Sequence, residues 1–103
     1  MLVYEITASS PPTRLTPALV AAGVPHGLHI ALSTELKTYP GSRHWHLRRA
    51  DLPGVLEVTY WPKRNRLWVS VRANRDGGWA RQACPLFARA LAAQIAGRAK
   101  KSR

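Results

Sequence analysis

The chain has 103 residues, a hydrophobic content of 46% and a formal net charge of +11 at pH 7. This length suits a single domain with one modest core, and there is no apolar run of about 18 residues to predict a membrane span. Cys84 is the single cysteine, which excludes an internal disulfide framework and favours a reducing compartment. Because the first ten residues also lack the basic and apolar segments of a signal peptide, we expect a cytoplasmic protein with no membrane partner.

The positive charge is concentrated in the second part of the chain. In residues 1–42 two cations and two carboxylates cancel, whereas residues 43–103 contain fourteen Lys or Arg and three carboxylates. All four tryptophans lie in this second part as well. Segregated charge of one sign attracts polyanions, and arginine, the commoner cation here, suits forked contacts with phosphate. The composition therefore favours nucleic acid as a partner, with an acidic protein as the alternative.

The first predicted elements are a strand and a short helix. Alternation of apolar side chains over residues 2–7 indicates a half-buried strand, and a loop rich in Ser and Pro follows at 9–15. Thr16 directly before Pro17 is typical of a helix start, with the threonine as N-cap and the proline in the first turn. This helix should end near Gly23.

Two further strands are predicted before the middle of the chain. Residues 27–34 alternate again, and their predicted core side carries Leu28, Ile30 and Leu32. Residues 43–48 form a third, shorter strand in which Trp45 and Leu47 face the core. The opposite side of that strand then carries His44, His46 and Arg48.

A hairpin is predicted from two strands at 54–61 and 66–73. A two-residue turn at Arg64-Asn65 places Trp61 opposite Trp68, whereas a four-residue turn at 62–65 shifts the pairing by two residues and leaves the faces unchanged. One face is aliphatic and belongs to the core. The other face, which we expect to stay open to solvent, carries Glu57, Thr59, Trp61, Arg66, Trp68, Ser70 and Arg72.

The chain is predicted to end in a helix that starts near Ala80 and carries an apolar stripe. Pro85 fits only in a first turn, so regular helix should begin near Cys84. The order β-α-β-β-β-β-α predicts an α+β fold, a mainly antiparallel sheet with helices packed on one face. Residues 1–97 form the predicted domain, and 98–103 a basic C-terminal tail that we expect to be a frayed helix end.

The predicted function is nucleic-acid binding through the polar hairpin face, the hairpin tip and the tail. Flat aromatic rings offer stacking surfaces to bases, and interleaved cations offer phosphate contacts. The tryptophans could instead only stabilise the hairpin. The candidate nucleic-acid-binding residues are His44, His46, Arg48, Trp61, Lys63, Arg64, Arg66, Trp68, Arg72, Arg98, Lys100 and Lys101.

Two alternatives use the same residues. Tryptophan and arginine are also preferred at protein interfaces, so an interaction module or inhibitor could bind an acidic surface of a nucleic-acid-handling enzyme. An RNA-cleaving toxin could use His44 and His46 as acid and base, because two strand positions about 6.5–7 Å apart leave room for a phosphate. No third catalytic partner is evident from the sequence. We therefore expect binding without catalysis.

A metal site or a cofactor is not predicted. The chain contains four histidines, in the patterns "HGLH" at His26 and His29 and "HWH" at His44 and His46. Zinc signatures with cysteine pairs or a helical "HExxH" are absent from the sequence. No glycine-rich phosphate loop or nucleophile elbow is present either. We therefore expect the chain to bind neither a metal nor a cofactor.

Overall fold

The structure, a computed structural model that describes residues 1–8 and 12–102, contains a six-stranded antiparallel sheet and two α-helices. The predicted α+β class is therefore confirmed. Residues 9–11 of the predicted loop at 9–15 lie outside the described ranges, and its last residue, Leu15, begins helix α1. In chain order the elements are β1 (Leu2–Ala8), α1 (Leu15–Gly23), β2 (Leu28–Thr34), β3 (Arg43–Arg49), β4 (Leu56–Trp61), β5 (Arg66–Val71), α2 (Ala80–Gln94) and β6 (Gly97–Ser102).

The strands lie in the order β2-β3-β4-β5-β1-β6, and each pairs with its neighbours antiparallel. Both helices pack on one face of this sheet, and the core lies between the two layers. Phe87 and Leu19 from the helices are fully buried there, as are Val58 and Val69 from the central strands. Trp45 and Leu47 face this core as predicted. Within residues 1–8 and 12–102, no helix is both long and apolar enough to cross a membrane.

The hairpin uses the four-residue connection, so the two-residue turn is wrong. Pro62–Arg64 forms a single 3₁₀ turn, and Asn65 closes it with a φ of 48° and a hydrogen bond from its N–H to the Pro62 carbonyl at 3.0 Å. Asparagine adopts this left-handed conformation more readily than most residues. As a result Trp61 pairs with Arg66, and Thr59 pairs with Trp68. The predicted division into an aliphatic and a polar face is unaffected.

The end of the chain is a strand, so the predicted frayed helix end is wrong. Helix α2 stops at Gln94, and β6 pairs antiparallel with β1. The outer edge of β1 offers a row of backbone hydrogen-bonding groups, and any sequence without proline can satisfy them. The cations of this segment suit an edge strand, where charged side chains discourage further pairing. Arg103 lies outside the described residues.

Both helices differ from their predicted starts. Helix α1 begins at Leu15 and its N-cap is Arg14, so Thr16 is a first-turn residue rather than the cap. Helix α2 is regular from Ala80 and contains Pro85 inside it. This proline therefore removes one helical hydrogen bond.

Strand β2 contains a register shift between Ile30 and Leu32. A bulge of this kind turns the following side chains to the other face of the sheet. Leu32 consequently pairs with His46 and is 45% exposed. Its predicted place in the core is wrong.

Candidate functional site

The candidate site is the face of the sheet opposite the helices, called the polar face below. Directly opposite residues of an antiparallel pair share a face. Two neighbouring rows of such partners cross all six strands of the sheet. The first row contains Lys100, Glu5, Trp68, Thr59 and His44, and the second contains Ser70, Glu57 and His46.

The polar face collects nine of the twelve predicted binding residues. These nine are His44, His46, Arg48, Trp61, Arg66, Trp68, Arg72, Arg98 and Lys100. Lys63 and Arg64 lie in the hairpin turn at its margin. Lys101 is paired with Tyr4 and therefore points to the helix-covered side. Sequence alternation thus places seven of the twelve on one surface, and the pairing of β6 with β1 adds Arg98 and Lys100.

The centre of the polar face is not open to solvent, contrary to the prediction. Thr59, Glu57 and His44 have exposed fractions of only 1%, 3% and 5%. The connection between β2 and β3, residues 35–42, lies against this centre and is called the cover loop below. The Tyr39 ring of the cover loop packs against Trp68 with ring centroids 5.3 Å apart.

Hydrogen bonds hold the cover loop in place. Trp61 Nε1 donates to the Pro40 carbonyl at 3.0 Å, which ties the loop to β4. Within the loop, the Gly41 N–H donates to Glu35 Oε2 at 2.7 Å, and the Leu36 N–H donates to Ser42 Oγ at 3.2 Å. The loop is therefore an ordered part of the polar face.

The two hairpin tryptophans are occupied by neighbouring side chains. Arg64 lies over the Trp61 ring with its guanidinium carbon 5.7 Å from the centroid, and Arg66 lies over Trp68 at 4.6 Å. Tyr39 packs against both rings and stands between them. Cation–π and aromatic contacts of this kind stabilise the hairpin. Each tryptophan therefore already has an arginine over its ring system and Tyr39 against it.

Beneath the cover loop, three titratable side chains meet in what we call the His-Glu cluster, formed by His44, His46 and Glu57. Strand pairing sets His46 directly opposite Glu57, and His44 opposite Thr59. His44 Nε2 lies 3.1 Å from Glu57 Oε1, and His46 Nε2 lies 3.8 Å from the same oxygen. The two imidazole rings contact each other edge to face, with centroids 5.1 Å apart.

Further polar groups surround the His-Glu cluster. Thr59 Oγ1 lies 2.8 Å from His44 Nδ1 and holds that ring in place. Arg72 Nε is 3.3 Å from Glu57 Oε2. A cavity of about 140 Å³ adjoins the cluster, lined among others by Ser70 and Tyr39.

Burial and charge set the protonation of this cluster. The hydrogen bond from His44 lowers the pKa of Glu57, and Arg72 lowers it further, against the opposing effect of burial. Burial lowers the pKa of His46, although the Glu57 charge acts in the other direction. At neutral pH Glu57 is therefore an ionised carboxylate and His46 a neutral ring.

Sequence reasoning did not connect Glu57 with the two histidines. The strand pattern placed all three on polar faces, but only the register between β3 and β4 brings them into contact. His26 and His29 take no part in this grouping within the described ranges. A four-histidine site is therefore not formed there.

Comparisons of the chain with protein-family models, with curated proteins and with solved structures found no match.

Proposed function

We propose that this chain binds nucleic acid through the polar face and the adjoining hairpin turn. The observation that carries the proposal is the collection of cations on the one face of the sheet that the helices leave uncovered. A flat cationic surface of this kind suits a phosphate backbone, and it would give binding that depends strongly on salt.

The two carboxylates on the polar face, Glu5 and Glu57, pair with Arg66 and Arg72, which leaves most of the other cations of the face without a carboxylate beside them among the described residues. Glu5 accepts a hydrogen bond from Arg66 Nη2 at 2.7 Å, and Glu57 is buried beneath the cover loop. Arg98 and Lys100 lie on the edge strand and are exposed. As alternate residues of β6 they project on the same side, about 6.5–7 Å apart along the strand. The outer margin of the face is therefore an accessible cationic part of it.

The geometry favours phosphate contacts over base stacking. Trp61 and Trp68 each carry an arginine over one ring and Tyr39 against them. Arg64 and Arg66 can contact a phosphate while they stay on these rings, because guanidinium groups stack and donate hydrogen bonds at once. The tryptophans then support the binding arginines without contacting bases.

We expect the double variant Arg98→Ala/Lys100→Ala to bind a single-stranded oligonucleotide with a weaker salt dependence. Each lost phosphate contact removes about 0.7 from the slope of log affinity against log salt, so two contacts remove about 1.4. Fluorescence anisotropy titrations at several salt concentrations measure this slope.

A matched control comes from the helix side of the molecule. Arg14 and Arg89 are exposed, and they belong to the α1 N-cap and to α2. The variant Arg14→Ala/Arg89→Ala loses the same charge but should keep the wild-type slope within about 0.3. Equal slope changes in both variants would contradict binding through the polar face. An unchanged slope in the β6 variant would also contradict it.

We expect the metal-free protein to leave labelled RNA intact in the presence of EDTA. Two-histidine cleavage requires a phosphate between the rings, and the His44 and His46 rings contact each other with centroids 5.1 Å apart. The rise of two strand residues predicts enough room for a phosphate between the rings. The observed contact between the two rings leaves no such room. Gel analysis after several hours checks the result. Cleavage that disappears in His46→Ala would establish a nuclease instead.

A further inference from the structure

We propose that the His-Glu cluster is a binding site for a divalent transition metal, with Zn²⁺ as the metal it suits best. His44 Nε2, His46 Nε2 and Glu57 Oε1 would be the ligands. This inference does not rest on nucleic-acid binding, and it reverses the sequence-based expectation that the chain binds no metal.

The three ligand atoms lie close enough together to bind one ion. One ligand atom from each of the three residues lies within 4.8 Å of the other two. Bonds of about 2.1 Å in a tetrahedral zinc site place neighbouring ligand atoms about 3.4 Å apart. Glu57 Oε1 already lies 3.1 Å from His44 Nε2 and 3.8 Å from His46 Nε2. These two distances are within about 0.5 Å of that value, and the His44–His46 ligand-atom distance, which is at most 4.8 Å, would shorten by no more than about 1.4 Å.

The ligands are held by regular structure. His44 and His46 are alternate residues of β3, and Glu57 lies opposite His46 on β4. Both strands lie inside the sheet, with paired neighbours on each side. Sites built on paired strands are positioned more accurately than sites on loops. The backbone therefore fixes the three side chains before any metal arrives.

The neighbouring groups match the surroundings of a histidine–carboxylate metal site. Metal-binding histidines use their second ring nitrogen to bond a fixed partner. Thr59 Oγ1 lies 2.8 Å from His44 Nδ1, which leaves Nε2 directed at the cluster. Because Thr59 is only 1% exposed, this contact is shielded from water.

The carboxylate carries unused bonding capacity. Glu57 Oε2 is buried and has no hydrogen-bond partner among residues 1–8 and 12–102, since Arg72 Nε at 3.3 Å is not in hydrogen-bonding geometry. A buried oxygen without a partner costs free energy. A cation bound by the Glu57 carboxylate would compensate its charge, and Arg72 could remain beside the second oxygen.

The type and number of ligands indicate the metal. Two imidazole nitrogens and one carboxylate oxygen form a three-ligand set used by zinc, and such sites keep a fourth position open. Imidazole-rich sites disfavour Mg²⁺ and Ca²⁺, which prefer oxygen ligands. The cavity of about 140 Å³ beside Glu57 and His44 gives that fourth position room for water.

Calorimetric titration of the EDTA-treated, desalted full chain with ZnCl₂ tests the proposal. We expect one equivalent to bind, and Co²⁺ to give the visible absorption of a four-coordinate site. His46→Ala should lower the Zn²⁺ affinity by at least about a hundredfold, and Thr59→Val by about 10–100-fold as a positioning residue. His29→Ala is the matched control. His29 also lies on the polar face, opposite Arg48, and its loss should change the affinity less than about twofold.

Histidine-ring NMR of the wild type keeps the test independent of variant folding. One equivalent of Zn²⁺ should shift the resonances of two of the four histidine rings. Absence of saturable binding would overturn the proposal. So would a His46→Ala affinity within threefold of the wild type, or equal shifts in all four rings.

Discussion

Phe87→Ala should lower the free energy of unfolding by about 3–5 kcal/mol, the range for removing a buried phenylalanine ring. Phe87 is fully buried on α2, inside the cluster of apolar side chains between the helices and the sheet. Removing the ring leaves a cavity in the layer that supports the central strands. Urea denaturation followed by far-UV circular dichroism measures this loss. The m-value, the slope of the free energy of unfolding against urea concentration, should stay unchanged.

Leu86 supplies the matched control for this substitution. It is the preceding residue of α2 but is 51% exposed, so Leu86→Ala should change the free energy of unfolding by no more than about 0.5 kcal/mol. If the two variants lost the same stability, α2 would not be packed on the sheet by the face described. A loss below about 1 kcal/mol for Phe87→Ala would contradict the packing directly.

The layer that supports the polar face could be predicted because its signal is local. Strand alternation has a period of two, so Trp45, Val58 and Val69 identify the core side without any knowledge of strand order. The same alternation places His44 and His46 on the opposite side. The part of the polar face formed by β3, β4 and β5 follows from this pattern alone.

Strand β6 could not be predicted in this way. Its sequence contains no large apolar residue, so neither helical nor strand periodicity is present. It pairs because the outer edge of β1 needs backbone partners, and backbone hydrogen bonds place few demands on side chains. Arg98 and Lys100 were predicted to be contact residues as members of a tail. Their position on the polar face depends on this pairing.

The cover loop and the His-Glu cluster depend on long-range contacts. Tyr39 reaches Trp61 and Trp68 across the sheet surface, and the sequence around it predicts only a turn. Glu57 meets His46 because the β3–β4 register places them opposite each other. The intervening segment at 50–55 does not specify that register by its sequence. The His-Glu cluster is therefore created by the fold and has no local sequence signal.

The proposed metal site and the proposed phosphate contacts lie on the same face of the sheet, at different depths. The proposed metal ligands lie beneath the cover loop, where His44 and Glu57 are almost completely buried. The proposed phosphate contacts lie at the hairpin turn and on β6, where the cations are exposed. Failure of zinc binding would leave the phosphate contacts intact as a proposal, and failure of nucleic-acid binding would leave the metal site intact.

The salt dependence of binding to a short oligothymidylate tests the central claim most directly. Five exposed cations at the hairpin turn and on β6 are proposed for phosphate contacts, namely Lys63, Arg64, Arg66, Arg98 and Lys100. Five contacts to a single strand predict a slope of about −3.5 in log affinity against log salt, and thus a loss of about a hundredfold between about 50 and 200 mM. A slope shallower than about −1, or no measurable binding at the lowest salt, would contradict nucleic-acid binding and favour an acidic protein partner.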